Sequence, residues 1–261
     1  AGSPEAIALA DENQRRLLVL DDRSSRQNPS PAPYLGAGNT VRGGDSVNGS
    51  LVGVLDHGAI NAGSPAAIDY RLHPIEPVSF TRSNPRTTSP ADVGGNVKVA
   101  SFNVLNYFNG DGAGGGFPTS RGATDATEFQ RQRDKIINAI KALNADVVGL
   151  MEIENDGYAS RSAIQDLVNG LNAALGANTY AVVPDPAAGT GSDEIKVALI
   201  YKPSRVSRVG ASVSDPDAIN SRPPLAQTFA ALNGEKFSVI VNHFKSKDCA
   251  DATGADKDQN D

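Results

Sequence analysis

The sequence predicts an α/β fold, with a small β-rich module at the front and a layered domain of helices on sheet behind it. Three observations carry this reading. Every lysine lies at or beyond Lys98, so the chain changes composition along its length. The first 80 residues hold short apolar runs between turn-rich stretches. Beyond residue 97, apolar runs of strand length alternate with two segments of helical period.

In the first part the runs are Leu17 to Leu20 and Leu51 to Leu55, separated by NPSPAP, GAGN, RGGD and NGS. No helical pattern of length is visible there, so a barrel-like all-β module over 1–80 is expected. Asn48-Gly49-Ser50 reads as a hairpin turn rather than a glycan site. His57 and His73 have no partner at metal-ligand spacing and read as structural or surface residues. Residues 81–96 carry prolines, two adjacent glycines and no hydrophobic period, which is how a linker reads.

The second part spans 97–261. Val97 to Asn103 and Val147 to Ile153 are strand candidates, the latter a continuous apolar run but for Glu152, as a strand covered on both faces is. Between them Phe129, Ile136, Ile137, Ile140 and Leu143 share one side of a helix, with Thr127 and Gln130 at capping-box spacing. A second helix, about Ser160 to Leu175, places Ile164, Leu167, Val168, Leu171 and Leu175 together and closes at Gly176. Strands follow at Tyr180 to Val183, Ile195 to Tyr201, Gln227 to Leu232 and Lys236 to His243. The glycine-rich stretches 110–116 and 189–191 lack the Lys-Ser/Thr ending of a phosphate loop and read as insertions.

Composition narrows the function. No run approaches the roughly 18 apolar residues that cross a bilayer, so membrane insertion is not expected. The start of the chain has no basic region followed by an apolar one, so a secretion signal is either already removed or never existed. With 24 Lys and Arg against 30 Asp and Glu, no global positive field draws in a polyanion, and contact with one must be local.

Three strand ends carry polar residues where burial predicts apolar ones. Asn103 ends VKVASFN, Glu152 sits within VVGLMEIEN and His243 ends KFSVIVNH. Ligand sites of α/β sheets gather beyond the carboxyl ends of strands, so the three are candidates to converge. A carboxylate embedded in apolar sequence needs a cation, a fixed base or an arginine partner. By itself Asn103 reads as a strand-end cap or turn residue rather than a ligand. His243 is followed by Lys245 and Lys247, an arrangement suited to phosphate.

Taken together, VKVASFNVLNYF, RQRDKIINAIKALNADVVGLMEIEN, SDEIKVALIYKP, SRPPLAQTF and VNHFKSK resemble, in that order, the endonuclease/exonuclease/phosphatase superfamily. More narrowly, LVLDD and GVLDHG are similar to the oligonucleotide-binding-like module that precedes the catalytic domain in bacterial extracellular nucleases. The resemblance covers nearly the whole chain. It implies a four-layer α/β sandwich of which this chain holds the first part.

Carried over by position, the resemblance makes Asn103 and Glu152 metal-binding residues and His243 the histidine that contacts the scissile phosphate or assists the leaving oxygen. Arg222 matches a phosphate-contacting arginine. Asp193 lies where an acidic partner for the histidine is placed, with Glu194 as its rival. Lys245 and Lys247 would touch the nucleic-acid backbone. The implied cofactor is Mg²⁺, with Mn²⁺ or Ca²⁺ as substitutes, and the implied partner is nucleic acid, DNA ahead of RNA. The implied location is extracellular or periplasmic.

The later Gly-Asp-(Leu/Phe)-Asn and (Ser/Asp)-Asp-His motifs of that superfamily do not occur before Asp261. The expectation is therefore a truncated domain, with Cys249, the only cysteine, paired by a disulfide to a residue further on. The expected activity is metal-dependent hydrolysis of DNA. A phosphatase, a lipid phosphodiesterase and a non-catalytic nucleic-acid-binding fragment are the alternatives.

Overall fold

The computed structural model describes residues 2–26, 29, 33–35, 41–61, 67–85, 87, 89–110, 116–217, 219–220 and 222–244. They divide into two compact units, one up to residue 87 and one from residue 89.

The first unit opens with helix α1 (Pro4–Arg16), which the apolar pattern does not announce. Its face buries nothing. Local chemistry supports it instead: the Ser3 hydroxyl accepts from Ala6 N, Pro4 starts the first turn, and Asp11–Arg15 and Glu12–Arg16 pair one turn apart. Strands β1 (Val19–Leu20), β2 (Ser46–Val47), β3 (Gly53–Ala59), β4 (Ile68–Pro74) and β5 (Phe80–Thr81) follow. They form two sheets, β1-β4-β3 and β2-β5, which share no strand among the described residues.

Asn48-Gly49 is a bend, with Gly49 at φ 85°, but it does not join a hairpin. Asn48 N donates to Ser79 O, and β2 pairs with β5 while β3 pairs with β4. His57 lies against the Tyr70 ring, and His73 Nδ1 sits 3.2 Å from Asp21. Thr81 is in β5 and Arg82 pairs with Asp45, so this end of the stretch expected as linker is hydrogen-bonded into the first unit.

The second unit contains β6 (Val99–Tyr107), α2 (Ala126–Leu143), β7 (Val147–Glu154), α3 (Ala163–Leu175), β8 (Ala181–Val182), β9 (Ile195–Tyr201), β10 (Val206–Val213), β11 (Leu225–Ala231) and β12 (Lys236–Val241). A four-stranded sheet runs β6-β7-β9-β8, with β6 and β7 parallel, and an antiparallel sheet runs β10-β11-β12. Side-chain alternation sorts the core into two layers. Val148, Leu150, Ala198 and Ile200 pack with Ile137, Ile140, Ile164 and Leu171 of the helices. Val147, Val197 and Leu199 pack with Leu225, Phe229 and Val241 of the second sheet. The order is helices, sheet, sheet, an α/β arrangement as expected.

A glycine permits the close approach of the sheets. A Cβ at Gly149 would stand 2.8 Å from a Val241 methyl. Among the helices, α2 is capped by Asp125, whose carboxylate accepts from Glu128 N, while Glu128 reaches back to Thr124. The cap is therefore set at Asp125 rather than by Thr127 and Gln130, because the aspartate adopts the extended backbone that a cap requires. Helix α3 is capped by Ser162 and ends at Gly176, φ 114°. Strand β10 was not expected from the apolar pattern. Its register to β11 slips between Val209 and Val213, with Gly210 at φ 72°, and most of its residues are not buried.

Candidate active site

Two irregularities at one level of the sheet build the site. On β6, Asn103 aligns with Met151 and Tyr107 with Ile153, so three residues of β6 oppose Glu152 alone. Leu105 and Asn106 take left-handed backbone there, φ 56° and 51°. On β7, Met151 and Glu152 together oppose Val197, a one-residue bulge. The bulges reset the alternation: Phe102 and Val104 face the helices, and after the break so does Tyr107. On β7 Leu150 faces the helices and then Ile153 does. Glu152 is left in the break at φ 67°, a conformation that costs a non-glycine residue about 1–3 kcal/mol.

Its carboxylate is held at both oxygens. Asn103 Nδ2 donates to Oε1 at 2.7 Å and Asn106 N donates to Oε2 at 3.1 Å. Asn103 Oδ1 accepts from Leu105 N at 2.8 Å, so the same side chain shapes the bulge and aims the acid. From α2, Gln132 Nε2 donates to the carbonyls of Val104 and Leu105, fastening the bulge to the helix. On the other side of the break the Tyr107 hydroxyl donates to Asp166, which also holds Arg133.

His243, two residues past β12, places Nε2 3.7 Å from Glu152 Oε1. Its Nδ1 is buried without a hydrogen-bond partner among the described residues. Burial, then the positive charge of Arg222, hold the imidazole below its ordinary pKa, against the opposite pull of Glu152 and Asp193. Arg222 Nε bonds Asp193 Oδ2 at 3.0 Å. Asp193 is in turn fixed by Asn155, whose Nδ2 donates to the Gly191 and Asp193 carbonyls.

Asn103, Glu152 and His243 thus meet, with Arg222 and Asp193 joined to each other. Asp193 pairs directly with arginines, Arg222 among them, and within ion-pair distance the carboxylate at His243 is Glu152. Glu194 pairs with Arg121. Lys245, Lys247 and Cys249 lie outside the described residues, as do residues 111–115.

Sequence reasoning missed Arg121, which bonds Asp193 Oδ1 at 3.1 Å and Glu194 at 2.8 Å. What brings it in is a tight turn: a Cβ at Gly122 would lie 2.9 Å from the Asn106 carbonyl. The sequence signal was the Arg-Gly pair just before a helix start, which no hydrophobic period flags.

No cluster of three or more His, Cys, Asp or Glu able to hold an ion exists among the described residues. Glu152 nevertheless fits one hard cation. Each of its oxygens accepts one N–H and keeps lone pairs, and no arginine or lysine among the described residues pairs with it. Mg²⁺ needs one or two carboxylates, the rest being water and phosphate oxygens.

An acid and an amide at breaks within β6 and β7, with an imidazole beside them just past β12, form a site whose donor set suits phosphoester chemistry. Residues 98–259 match the Endonuclease/Exonuclease/phosphatase family, and the chain belongs to it. That family comprises nucleases, phosphatases and phosphodiesterases, generally dependent on divalent metals. Among solved structures the chain is similar to an endonuclease/exonuclease/phosphatase from Bacteroides vulgatus, at 16% identity over 55% of this chain and 51% of that one, TM-score 0.37. A Bacteroides thetaiotaomicron family member matches at 13% identity over 55% and 47%, TM-score 0.37. Humanized D. rerio TDP2 matches at 16% over 55% and 45%, TM-score 0.33. The chain spans about half the length of these structures. No curated protein sequence matches it. No described helix is long and apolar enough to cross a membrane.

Proposed function

We propose that the chain is a secreted, Mg²⁺-dependent nuclease that hydrolyses phosphodiester bonds of DNA with little sequence preference. The observation that carries this is the Glu152 carboxylate, aimed by Asn103 and the Asn106 N–H, with His243 Nε2 3.7 Å away. The resemblance of the first unit to the module of extracellular nucleases supports both secretion and a nucleic-acid substrate.

In this reading Glu152 holds the cation, and Asn103 fixes the carboxylate through Nδ2 while its Oδ1, which accepts only from Leu105 N, keeps a lone pair for the same ion. When bound, Mg²⁺, or Mn²⁺ or Ca²⁺ in its place, neutralises charge that develops on the phosphoryl oxygens. Arg222, anchored by Asp193, positions the phosphate. His243 presents Nε2 to the phosphate and hydrogen-bonds an oxygen as the bond to phosphorus breaks.

Plasmid DNA incubated with the protein tests this. Loss of the supercoiled form with Mg²⁺, none with EDTA and none with Glu152→Gln is the expected result. DNA retarded but uncut, or turnover of phosphomonoesters or lipid phosphodiesters alone, overturns it.

A further inference from the structure

We infer that the groove between the β6 bulge and the outer face of α2 seats a second phosphate of the nucleic-acid strand, beside the one that is cut. The inference rests on the nuclease reading and extends it to how a polymer is held. The groove measures about 470 Å³ and is lined by Asn106, Arg121, Glu128, Arg131, Gln132 and Lys135, among others. It adjoins the proposed site directly, because Asn106 lines it while its N–H bonds Glu152.

Helix geometry concentrates charge there. Glu128, Arg131 and Lys135 are three, four and seven residues apart, so they share one face of α2. Two of the groove's charges are already engaged: Arg121 is bound to Asp193 and Glu194, and Glu128 to the Thr124 amide and hydroxyl. Arg131 and Lys135 are exposed and have no ion-pair partner among the described residues. Two cations held in no ion pair, Arg131 offset only through space by the Glu128 charge, lie beside a bulge that aims the proposed catalytic acid and make a local positive seat on a chain of formal net charge -6. A monoester has no second phosphate to place there, whereas a polynucleotide repeats one at every nucleotide.

The test is fluorescence anisotropy of a fluorescein-labelled 12-nucleotide single-stranded DNA with the full chain in EDTA, at several salt concentrations. Arg131→Gln with Lys135→Gln keeps good helix formers on exposed positions, so folding is preserved. The double variant is expected to bind at least about tenfold more weakly at low salt. The slope of log K on log salt should shrink by about 0.7 for each phosphate that the variant no longer neutralises. Lys141→Ala, an exposed lysine in the last turn of the same helix, should change neither.

Equal affinity and slope in the double variant, an equal weakening in Lys141→Ala, or no DNA binding by the parent chain overturns the inference. Mg²⁺-dependent hydrolysis of bis(4-nitrophenyl) phosphate, measured alongside, reads the catalytic proposal separately. Hydrolysis with groove-independent binding removes only the groove. Groove-dependent binding without hydrolysis removes only the catalysis.

Discussion

The amide nitrogen of Asn103 stands 2.7 Å from Glu152 Oε1, though the residues are 49 positions apart on parallel neighbouring strands. Asn103 itself is paired with Met151, and in regular strands Glu152 would lie one step on with its side chain on the other face of the sheet. The two bulges close that step. Groups that aim a metal-binding carboxylate typically contribute 10- to 100-fold to metal affinity or activity. Asn103→Ala should therefore weaken Mg²⁺ binding by that factor, read by calorimetric titration, with parallel loss of hydrolysis. Unchanged Mg²⁺ affinity would show that Asn103 does not govern the acid.

Gln132 tests the support of the bulge from the helix side. Its two N–H bonds to the Val104 and Leu105 carbonyls hold the segment that carries the Asn106 N–H. Removing them in Gln132→Ala should cost about 1–2 kcal/mol of stability in urea denaturation, since part of this backbone is open to water. Gln132→Glu should cost more, because an ionised carboxylate can only accept and would face two acceptors. Activity should fall mainly in kcat, because the Gln132 amide holds the bulge while Arg131 and Lys135 supply the charges proposed to hold the strand.

Much of this was legible in the residues. Apolar period marked α2, α3, β7 and β9, because each buries a continuous face. The same logic missed α1, which buries nothing and rests on its cap and ion pairs, and β10, whose alternation breaks at Gly210. At the site, Asn103, Glu152 and His243 stood out as polar residues in apolar strands. The bulges did not, since a left-handed turn at Leu105, Asn106 or Glu152 leaves no compositional trace when the residue is not glycine. Arg121 was hidden because its place depends on a close backbone approach far from any periodic segment.

Tyr180 gives the fold a pH dependence of predictable sign. Its ring is buried and its hydroxyl donates to the Ala145 carbonyl at 2.7 Å. Burial first, and the Asp146 carboxylate second, push the phenol up to about 12. The native state then keeps a proton that the unfolded chain gives up near pH 10, so this contribution is whole below pH 10 and is lost as pH rises from there towards 12. A difference of about two units corresponds to roughly 3 kcal/mol at most. Urea denaturation between about pH 8 and 11.5 should show that decline, and Tyr180→Phe should make it shallower, leaving the share of the buried Tyr107, whose phenol burial also pushes up. An equally steep decline in the phenylalanine variant would assign the effect to another group.

Glu152 carries the last test, one that concerns the backbone alone. At an ordinary strand position glycine is less stable than alanine by about 0.5–1 kcal/mol, because it loses more freedom on folding. At φ 67° the order should invert, since left-handed backbone costs an L-residue with a Cβ about 1–2 kcal/mol and glycine little. Both Glu152→Ala and Glu152→Gly remove the carboxylate and its bonds to Asn103 and Asn106, so their difference isolates the strain. Glu152→Gly should unfold at higher urea than Glu152→Ala, with neither hydrolysing DNA. If alanine proves the more stable, the backbone at 152 is not left-handed, and the bulge that brings the acid to Asn103 has another shape.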